Sequence, residues 1–274
     1  MTLYCPGRTT FTHNQFLADF AGLSEMKFLV LDAASADLAY ASGSKNLVLC
    51  SNERYHLELH KFLTIAPAYR YIRESWENKF ECGRGWKQRG KFLAAFNNLY
   101  RPKVMRTWDD MSQYYCVLAM SGFRTSYQRG NLVGEHTPIT PNYDSIREWS
   151  RSRRDKTVRY CKRNIYNYPT SEIDNNTVIY SHIPNNFATY GYGYVWTRRR
   201  LENASREFSD LARLGQRVVI SMSHSRWDKK NSDTEDLFPD DLFRTFHYTE
   251  LKAKGLGFTS RPVTEVYLVA NLGQ

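Results

Sequence analysis

The sequence predicts an α/β fold with a mixed, mostly parallel sheet, interrupted by an inserted, mainly helical and basic domain. Three observations predict this class. Short apolar runs alternate with helical segments at both ends of the chain, the alternation stops in the middle third, and that third holds much of the positive charge. Strands of parallel sheets are covered on both faces, so they read as continuous apolar runs. We assign 1–63 and 166–274 to the α/β domain and 64–165 to the insertion.

Two apolar runs near the N-terminus predict the first parallel strands. Phe28–Leu31 reads as a buried strand, and Ser35 and Asp37 are candidate caps of a short helix that ends near Gly43. Leu47–Cys50 reads as the second strand. An amphipathic helix is expected directly after it, which completes a strand–helix–strand–helix unit.

The α/β pattern resumes in the last third of the chain. Thr177–Tyr180 predicts a strand, 199–214 a helix, Arg217–Ser221 a further strand and Val263–Val269 a last one. An aromatic and glycine-rich loop at 187–196 lies between the first of these strands and the helix. It is interpreted either as a lid that packs on the domain or as a stacking surface for a base.

The middle of the chain is cationic and rich in aromatic residues. The chain has 38 Lys and Arg against 28 Asp and Glu, a net charge of +10, which favours a polyanionic partner, nucleic acid before an acidic protein or a membrane surface. Basic runs cover 82–106 and 147–163. Between them, Gly, Asn and Pro punctuate 121–138 in a pattern that predicts a projecting loop or hairpin.

Composition also excludes several classes of protein. The five cysteines are scattered, with no spacing typical of a zinc site or a disulfide framework, so no metal is expected. No apolar run is long enough to span a bilayer, and the N-terminal residues lack the apolar core of a secretory signal. We therefore expect a cytoplasmic protein with no membrane partner.

Several segments, in order along the chain, resemble one known family. Thr12–Gln15 stands where that family has an N-terminal cofactor turn, and Leu29–Asp37 resembles a strand followed by a cofactor loop. Leu49–Glu53 stands at the strand whose end holds the cofactor ribose, Gly122–Pro138 resembles a base-reading hairpin, and Val178–Tyr180 resembles the strand before the catalytic tetrapeptide. The family is the Dam-type N6-adenine DNA methyltransferases of bacteria and their phages. The resemblance implies a Rossmann-like methyltransferase domain with an inserted DNA-recognition domain.

The catalytic motif departs from the family pattern. The family tetrapeptide Asp-Pro-Pro-Tyr accepts hydrogen bonds from the target amino group and stacks on the flipped adenine. Here the residues at and next to that position lack both the carboxylate and the ring: Ser181, His182, Ile183, Pro184 and Asn185. His182 is interpreted as a general base or as a structural or DNA-contacting residue, and the sequence favours the second interpretation because no acidic partner is visible.

The implied cofactor positions depart in the same way. Small and charged side chains replace the loop glycines, and a glutamine replaces the lysine of the N-terminal turn. A serine stands where the family has the ribose-binding acid, and Glu53 could take the place of that acid. The residues at these degenerate cofactor positions are Asn14, Gln15, Ala34, Ser35, Asp37, Ser51 and Glu53. We expect that no cofactor binds, and that S-adenosylmethionine binds only if the chain is an enzyme.

The recognition elements keep their basic character. Arg124 and Arg129 are candidate base readers, because arginine pairs with guanine in the major groove, and Tyr127 is the candidate stacking residue. The other candidate DNA contacts are Ser126, Asn131, His136, Lys87, Arg89, Arg151, Arg153 and Arg154. Basic runs on globular proteins also form ordinary solvated surfaces, and that interpretation stays open.

The sequence therefore predicts a catalytically degenerate Dam-like protein that binds double-stranded DNA through its inserted domain without methyl transfer. One alternative is an active but divergent adenine methyltransferase or another base-modifying transferase. A second is an interaction module that uses this fold to bind an acidic host protein. If a phage encodes the chain, its compartment is the host cytoplasm.

Overall fold

A computed structural model describes residues 10–31, 36–51, 57, 126–128, 131–133, 155–163, 166–183, 197–224, 234–254 and 258–273. The chain divides into two compact units. One consists of Met1–Pro6, Glu53–Asp155 and Tyr190–Tyr194, and the other of Gly7–Asn52, Lys156–Thr189 and Val195–Gln274. The second unit holds a mixed seven-stranded sheet, and this confirms the predicted α/β class.

The strands in chain order are β1 Lys27–Val30, β2 Asn46–Cys50, β3 Ser126–Gln128, β4 Asn131–Val133, β5 Thr157–Cys161, β6 Thr177–His182, β7 Arg217–His224, β8 Arg244–Lys254 and β9 Phe258–Ala270. The sheet order is β5-β2-β1-β6-β7-β9-β8. The first five strands in this spatial order, β5, β2, β1, β6 and β7, pair in parallel with their neighbours. In contrast, β9 pairs antiparallel with both β7 and β8.

The core of the sheet lies along β1, β6 and β7. Every residue of β6 is buried, and the apolar residues of β1 are almost fully shielded from solvent. Val178–Tyr180 lies against Phe28–Val30 in parallel register, so the two central strands bury apolar side chains from both faces. This burial is the main driving force that the sequence provides for the fold.

Helix α1, Thr10–Asp19, packs on the antiparallel side of the sheet through aromatic rings. Phe16 stacks on Tyr267 of β9 with ring centroids 4.3 Å apart. Phe20 meets Phe246 of β8 edge to face at 5.2 Å. Because offset and edge-to-face ring pairs add to the energy of burial, these contacts fix where α1 crosses the sheet.

Helix α3, Arg198–Arg213, is the crossover between the parallel strands β6 and β7. It begins at Thr197, whose hydroxyl accepts a hydrogen bond from the Arg200 backbone N–H at 3.3 Å. Its buried side chains include Leu201 and Phe208. It ends before Gly215, which has a φ of +80° and so takes the left-handed conformation that glycine adopts at helix ends. The predicted helix at 199–214 is confirmed.

Helix α2, Asp37–Ala41, follows β1 and differs from the prediction at its start. Its N-cap is Ala36 and not Ser35 or Asp37 as predicted, and Ala36 makes no side-chain capping bond. The predicted end near Gly43 is confirmed, because the helix stops at Ala41 and Gly43 has a φ of +81°.

The other unit contains a β-hairpin within the predicted stretch 121–138. β3 and β4 pair antiparallel, with Gln128 opposite Asn131. Two residues separate the strands in the sequence, and these residues, 129–130, lie outside the described part of the chain.

Two strands of the sheet were missed by the sequence analysis. β5 pairs with β2 along its whole length, although its residues fall inside the range 64–165 that the sequence analysis assigned to the insertion. β8, an eleven-residue strand, was not predicted at all. Among the helices that the structure describes, none is long and apolar enough to cross a membrane.

Candidate functional site

The parallel strands β1, β2, β5, β6 and β7 end at one edge of the sheet, called here the carboxyl edge. β2 lies on one side of β1 and β6 on the other, so the strand order changes direction between β1 and β6. In open α/β sheets, ligands bind outside the carboxyl ends of the strands at such a switch point. The carboxyl edge is therefore where a functional site is expected.

At this edge, β6 and β7 share a chain of buried hydrogen bonds. The Ser221 hydroxyl lies 3.1 Å from His182 Nδ1 and 2.9 Å from the Tyr180 hydroxyl. Tyr180 and His182 are two residues apart on β6 and so project from the same face, and Ser221 stands opposite His182 on β7. Tyr180 and Ser221 are fully buried and His182 is 5% exposed.

A serine hydroxyl bonded to an imidazole is the arrangement that activates a nucleophile, but access decides its use here. Ser221 has no exposed surface, lies in the middle of a strand and also bonds Tyr180. A substrate carbonyl would have to enter the sheet to reach it. The Tyr180–Ser221–His182 cluster ties the end of β6 to β7.

A second buried polar cluster joins α1 to β9. Thr12 Oγ1 donates a hydrogen bond to Glu265 Oε2 at 2.7 Å, and His13 Nε2 lies 4.0 Å from the same oxygen. Thr12 and His13 are fully buried and Glu265 is 1% exposed. A buried carboxylate is costly unless it is paired or hydrogen-bonded, and the Thr12 hydroxyl supplies one such hydrogen bond. Because Glu265 stands opposite Ser223, this cluster also lies toward the carboxyl end of β7.

The ends of β2 and β5 carry two thiols and a serine. Cys50 and Cys161 face each other in register, and both are free thiols. Burial, and next the neighbouring Cys161, raise the pKa of Cys50 to about 12, so Cys50 stays a neutral thiol. Ser51 is buried, and its backbone N–H donates to the Cys161 carbonyl at 3.1 Å. A hydroxyl stands where a ribose-binding carboxylate was expected.

The structure brings only part of the predicted catalytic set to the carboxyl edge. Ser181 and His182 end β6, and Ile183 continues the pairing through a backbone N–H bond to the Ser221 carbonyl at 3.0 Å. All three are buried. The Ser181 hydroxyl has no hydrogen-bond partner within the part of the chain that the structure describes. Pro184 and Asn185 lie outside the described residues.

The predicted cofactor residues are spread over separate elements. Asn14 and Gln15 lie in helix α1, although a turn was expected there, and Asn14 is exposed. Asp37 begins α2, and Ser51 follows β2. Ala34, Ser35 and Glu53 lie outside the described residues.

Of the predicted DNA contacts, Ser126, Tyr127 and Asn131 belong to the hairpin strands. The remaining predicted contacts lie outside the described residues: Arg124, Arg129, His136, Lys87, Arg89, Arg151, Arg153 and Arg154.

Sequence reasoning missed Thr12, Tyr180, Ser221 and Glu265. One signal was present: Glu265 directly precedes the apolar run Val266–Ala270, and a carboxylate buried beside such a run needs a hydrogen-bond or charge partner. The two hydrogen-bonded hydroxyls on β6 and β7 gave no comparable signal, because Ser and Tyr occur in strands for many reasons. Within the described residues, no group of three or more His, Cys, Asp or Glu side chains could hold a metal ion.

A scan against protein-family models and a search of the curated proteins found no match to this chain.

Proposed function

We propose that this protein binds double-stranded DNA on a methyltransferase-like scaffold and transfers no methyl group. The observation that carries the proposal is the order of the sheet. With the hairpin strands β3 and β4 left out, β5 to β9 become strands three to seven, and the spatial order reads 3-2-1-4-5-7-6. Rossmann sheets share the order 3-2-1-4-5, and here the last strand lies antiparallel between the fifth and the sixth. The order supports the resemblance to Dam-type enzymes.

The end of β6 supports the absence of transfer. Methylation of adenine N6 needs a polar acceptor and an aromatic ring that a flipped base can reach. Here the strand ends in buried Ser181, His182 and Ile183, and His182 is hydrogen-bonded to Ser221 inside the sheet. His182 and Ile183 both bond to Ser221 of β7 and so contribute to the sheet. Their role in our proposal is therefore to maintain the fold that binds DNA, and they do not transfer a methyl group.

The charge of the chain and its hairpin support duplex DNA as the partner. A net charge of +10 attracts the phosphate backbone and releases its counterions. Arg129 directly follows β3 in the sequence, and an arginine can pair with a guanine edge in the major groove. Phosphate contacts would fix the register of the protein, and the hairpin would supply sequence preference.

The proposal is tested by the anisotropy of a labelled duplex of about 20 base pairs, titrated with protein from about 50 to 200 mM salt. Neutralisation of several phosphates predicts that the affinity falls by orders of magnitude over this range. In a parallel thermal melt, S-adenosylmethionine is expected to leave the melting temperature unchanged, whereas a bound ligand would raise it. A clear rise, or a methyl label on DNA, would identify a divergent enzyme instead. Weak, salt-insensitive binding would favour an acidic protein partner.

Two sets of substitutions separate base reading from phosphate binding. Arg129→Ala is expected to lower duplex affinity by about 1–3 kcal/mol and to relax sequence preference. Arg153→Glu with Arg154→Glu should weaken binding to all sequences alike and flatten the salt dependence. The same anisotropy titration, run on a panel of duplexes, measures both. Unchanged preference in Arg129→Ala would contradict a base-reading role.

A further inference from the structure

A group of exposed cations lies on two described segments at the carboxyl edge. One segment follows β5 and the other is the first turn of α3, which leads back toward β7 and so begins at the carboxyl edge. All members are exposed: Lys162, Arg163, Arg198, Arg199 and Arg200. We call this group the cationic edge.

Tyrosine hydrogen bonds join the two segments. The Tyr166 hydroxyl donates to the Arg200 backbone carbonyl at 2.7 Å, and the Tyr168 hydroxyl donates to Glu207 at 2.9 Å. Arg163 Nη1 donates to Asn167 Oδ1 at 3.2 Å, which holds the loop in place. The cations from β5 and from α3 therefore form one surface of the sheet domain.

Part of this surface carries positive charge at an unfavourable position in helix α3. Three arginines occupy the first turn of α3 and no acidic residue does, although the positive end of a helix dipole disfavours cations there. Arg198 is paired with Glu202 at 2.8 Å. Lys162 and Arg199 have no ion-pair partner among the residues that the structure describes. Folding alone does not explain this clustering of charge, because mutual repulsion and the helix dipole both oppose it.

The side chains suit a nucleic-acid backbone. Guanidinium groups bind phosphate oxygens through paired N–H donors, and Tyr166, 44% exposed, adds a ring beside them. The surface lies at the edge where β6 ends, which is the edge where ligands of open α/β sheets bind. Duplex DNA presents phosphates at regular spacing, so cations on two joined segments can contact several of them together.

We propose that the cationic edge is a phosphate-binding surface for duplex DNA, in addition to the hairpin and to the basic residues that precede β5 in the sequence. This inference rests on the proposed function and adds a contact surface within the sheet domain itself. It assigns backbone contacts to Lys162 and Arg199 and no base readout. Its partner is the phosphate backbone, so the contribution is independent of DNA sequence.

The test is the salt dependence of duplex binding by the double variant Lys162→Gln/Arg199→Gln. Each lost phosphate contact lowers the slope of log affinity against log salt by about 0.9, so the double variant should lose about 1.8. The matched control is Arg206→Gln/Arg213→Gln, which removes the same charge from α3 beyond its first turn. The control should keep the wild-type slope.

Folding does not confound this comparison. Removing a cation from the first turn of α3 relieves an unfavourable interaction with the helix dipole, so Arg199→Gln is expected to fold, and Arg199→Glu serves as a second variant with a favourable charge. Equal slopes for the wild type and the Lys162→Gln/Arg199→Gln variant, or an equal loss in the control, would overturn the inference while the proposed function stands. A wild type that binds no duplex in a salt-dependent way would overturn both.

Discussion

Ser221→Ala tests the interpretation that the residues at the end of β6 are structural. The change removes one oxygen and leaves the backbone and the Cβ in place, so it deletes the hydroxyl that bonds both His182 and Tyr180. Leaving a buried polar group without its partner costs about 1–3 kcal/mol. Each of the two partners loses one hydrogen bond, so the two losses together predict a decrease of about 2–6 kcal/mol in the free energy of unfolding. A typical domain has about 5–15 kcal/mol in total, so the effect is large.

Urea unfolding followed by circular dichroism measures this loss, since the midpoint shift at constant slope gives the change in free energy. The matched control is Ser209→Ala, which removes a buried hydroxyl from α3 outside the cluster. We expect the control to lose less than Ser221→Ala and both variants to retain DNA binding at low urea. If the two variants differed by less than about 0.5 kcal/mol, the hydrogen-bond argument would be refuted. A folded Ser221→Ala variant that no longer bound DNA would refute the structural role.

Three further outcomes follow from packing and ionisation. Phe16→Ala should destabilise the sheet domain by about 3–5 kcal/mol in urea unfolding, because the ring is fully buried against a β9 tyrosine; a loss below about 1 kcal/mol would contradict this. Iodoacetamide at neutral pH should label half-exposed Cys161 before Cys50, because burial raises the pKa of Cys50 to about 12. Mass spectrometry measures the order of labelling. Faster labelling of Cys50 would be inconsistent with its buried environment. A hydrogen bond from Thr177 lowers the pKa of Asp174, so this carboxylate stabilises the fold above its unfolded pKa of about 3.9. The contribution is lost as the pH falls through the lower folded pKa, and the small stability difference between the wild type and Asp174→Asn should shrink there; a difference that grew on acidification would reverse the assignment.

Much of the sheet could be predicted because its central strands carry their own signal. β1, β2 and β6 are buried on both faces, so continuous apolar runs identify them without tertiary information. β8 gave no such signal, because it is an edge strand whose residues are exposed or half-buried over 244–249. β5 was missed for a related reason, because it lies at the opposite edge of the sheet and is not fully buried. It also contains an arginine, so the sequence analysis assigned it to a basic run.

The candidate site was less predictable than the fold because its polar residues come from distant parts of the chain. The Thr12–Glu265 bond joins residues at opposite ends of the sequence, and only the packing of α1 on β9 brings them together. The sequence analysis ended this strand at Tyr180 and placed Ser181 and His182 directly after it, whereas both residues belong to β6. Their burial was not predicted, because it depends on how Ser221 and Ile183 pair across the sheet.

The residues of the cationic edge are visible in the sequence as basic residues, but the charge count does not show that they share one surface. Arg198–Arg200 reads as one more basic run in a basic chain. It becomes informative once the strand order places the start of α3 at the carboxyl edge and Tyr166 joins it to the end of β5.

The most direct measurement is equilibrium dialysis of radiolabelled S-adenosylmethionine against the protein already saturated with duplex DNA, followed by counting the label in the recovered DNA. Our account predicts a stable protein–DNA complex that retains no donor above background and leaves the DNA unlabelled. Saturable donor uptake with label incorporated into adenine would contradict it.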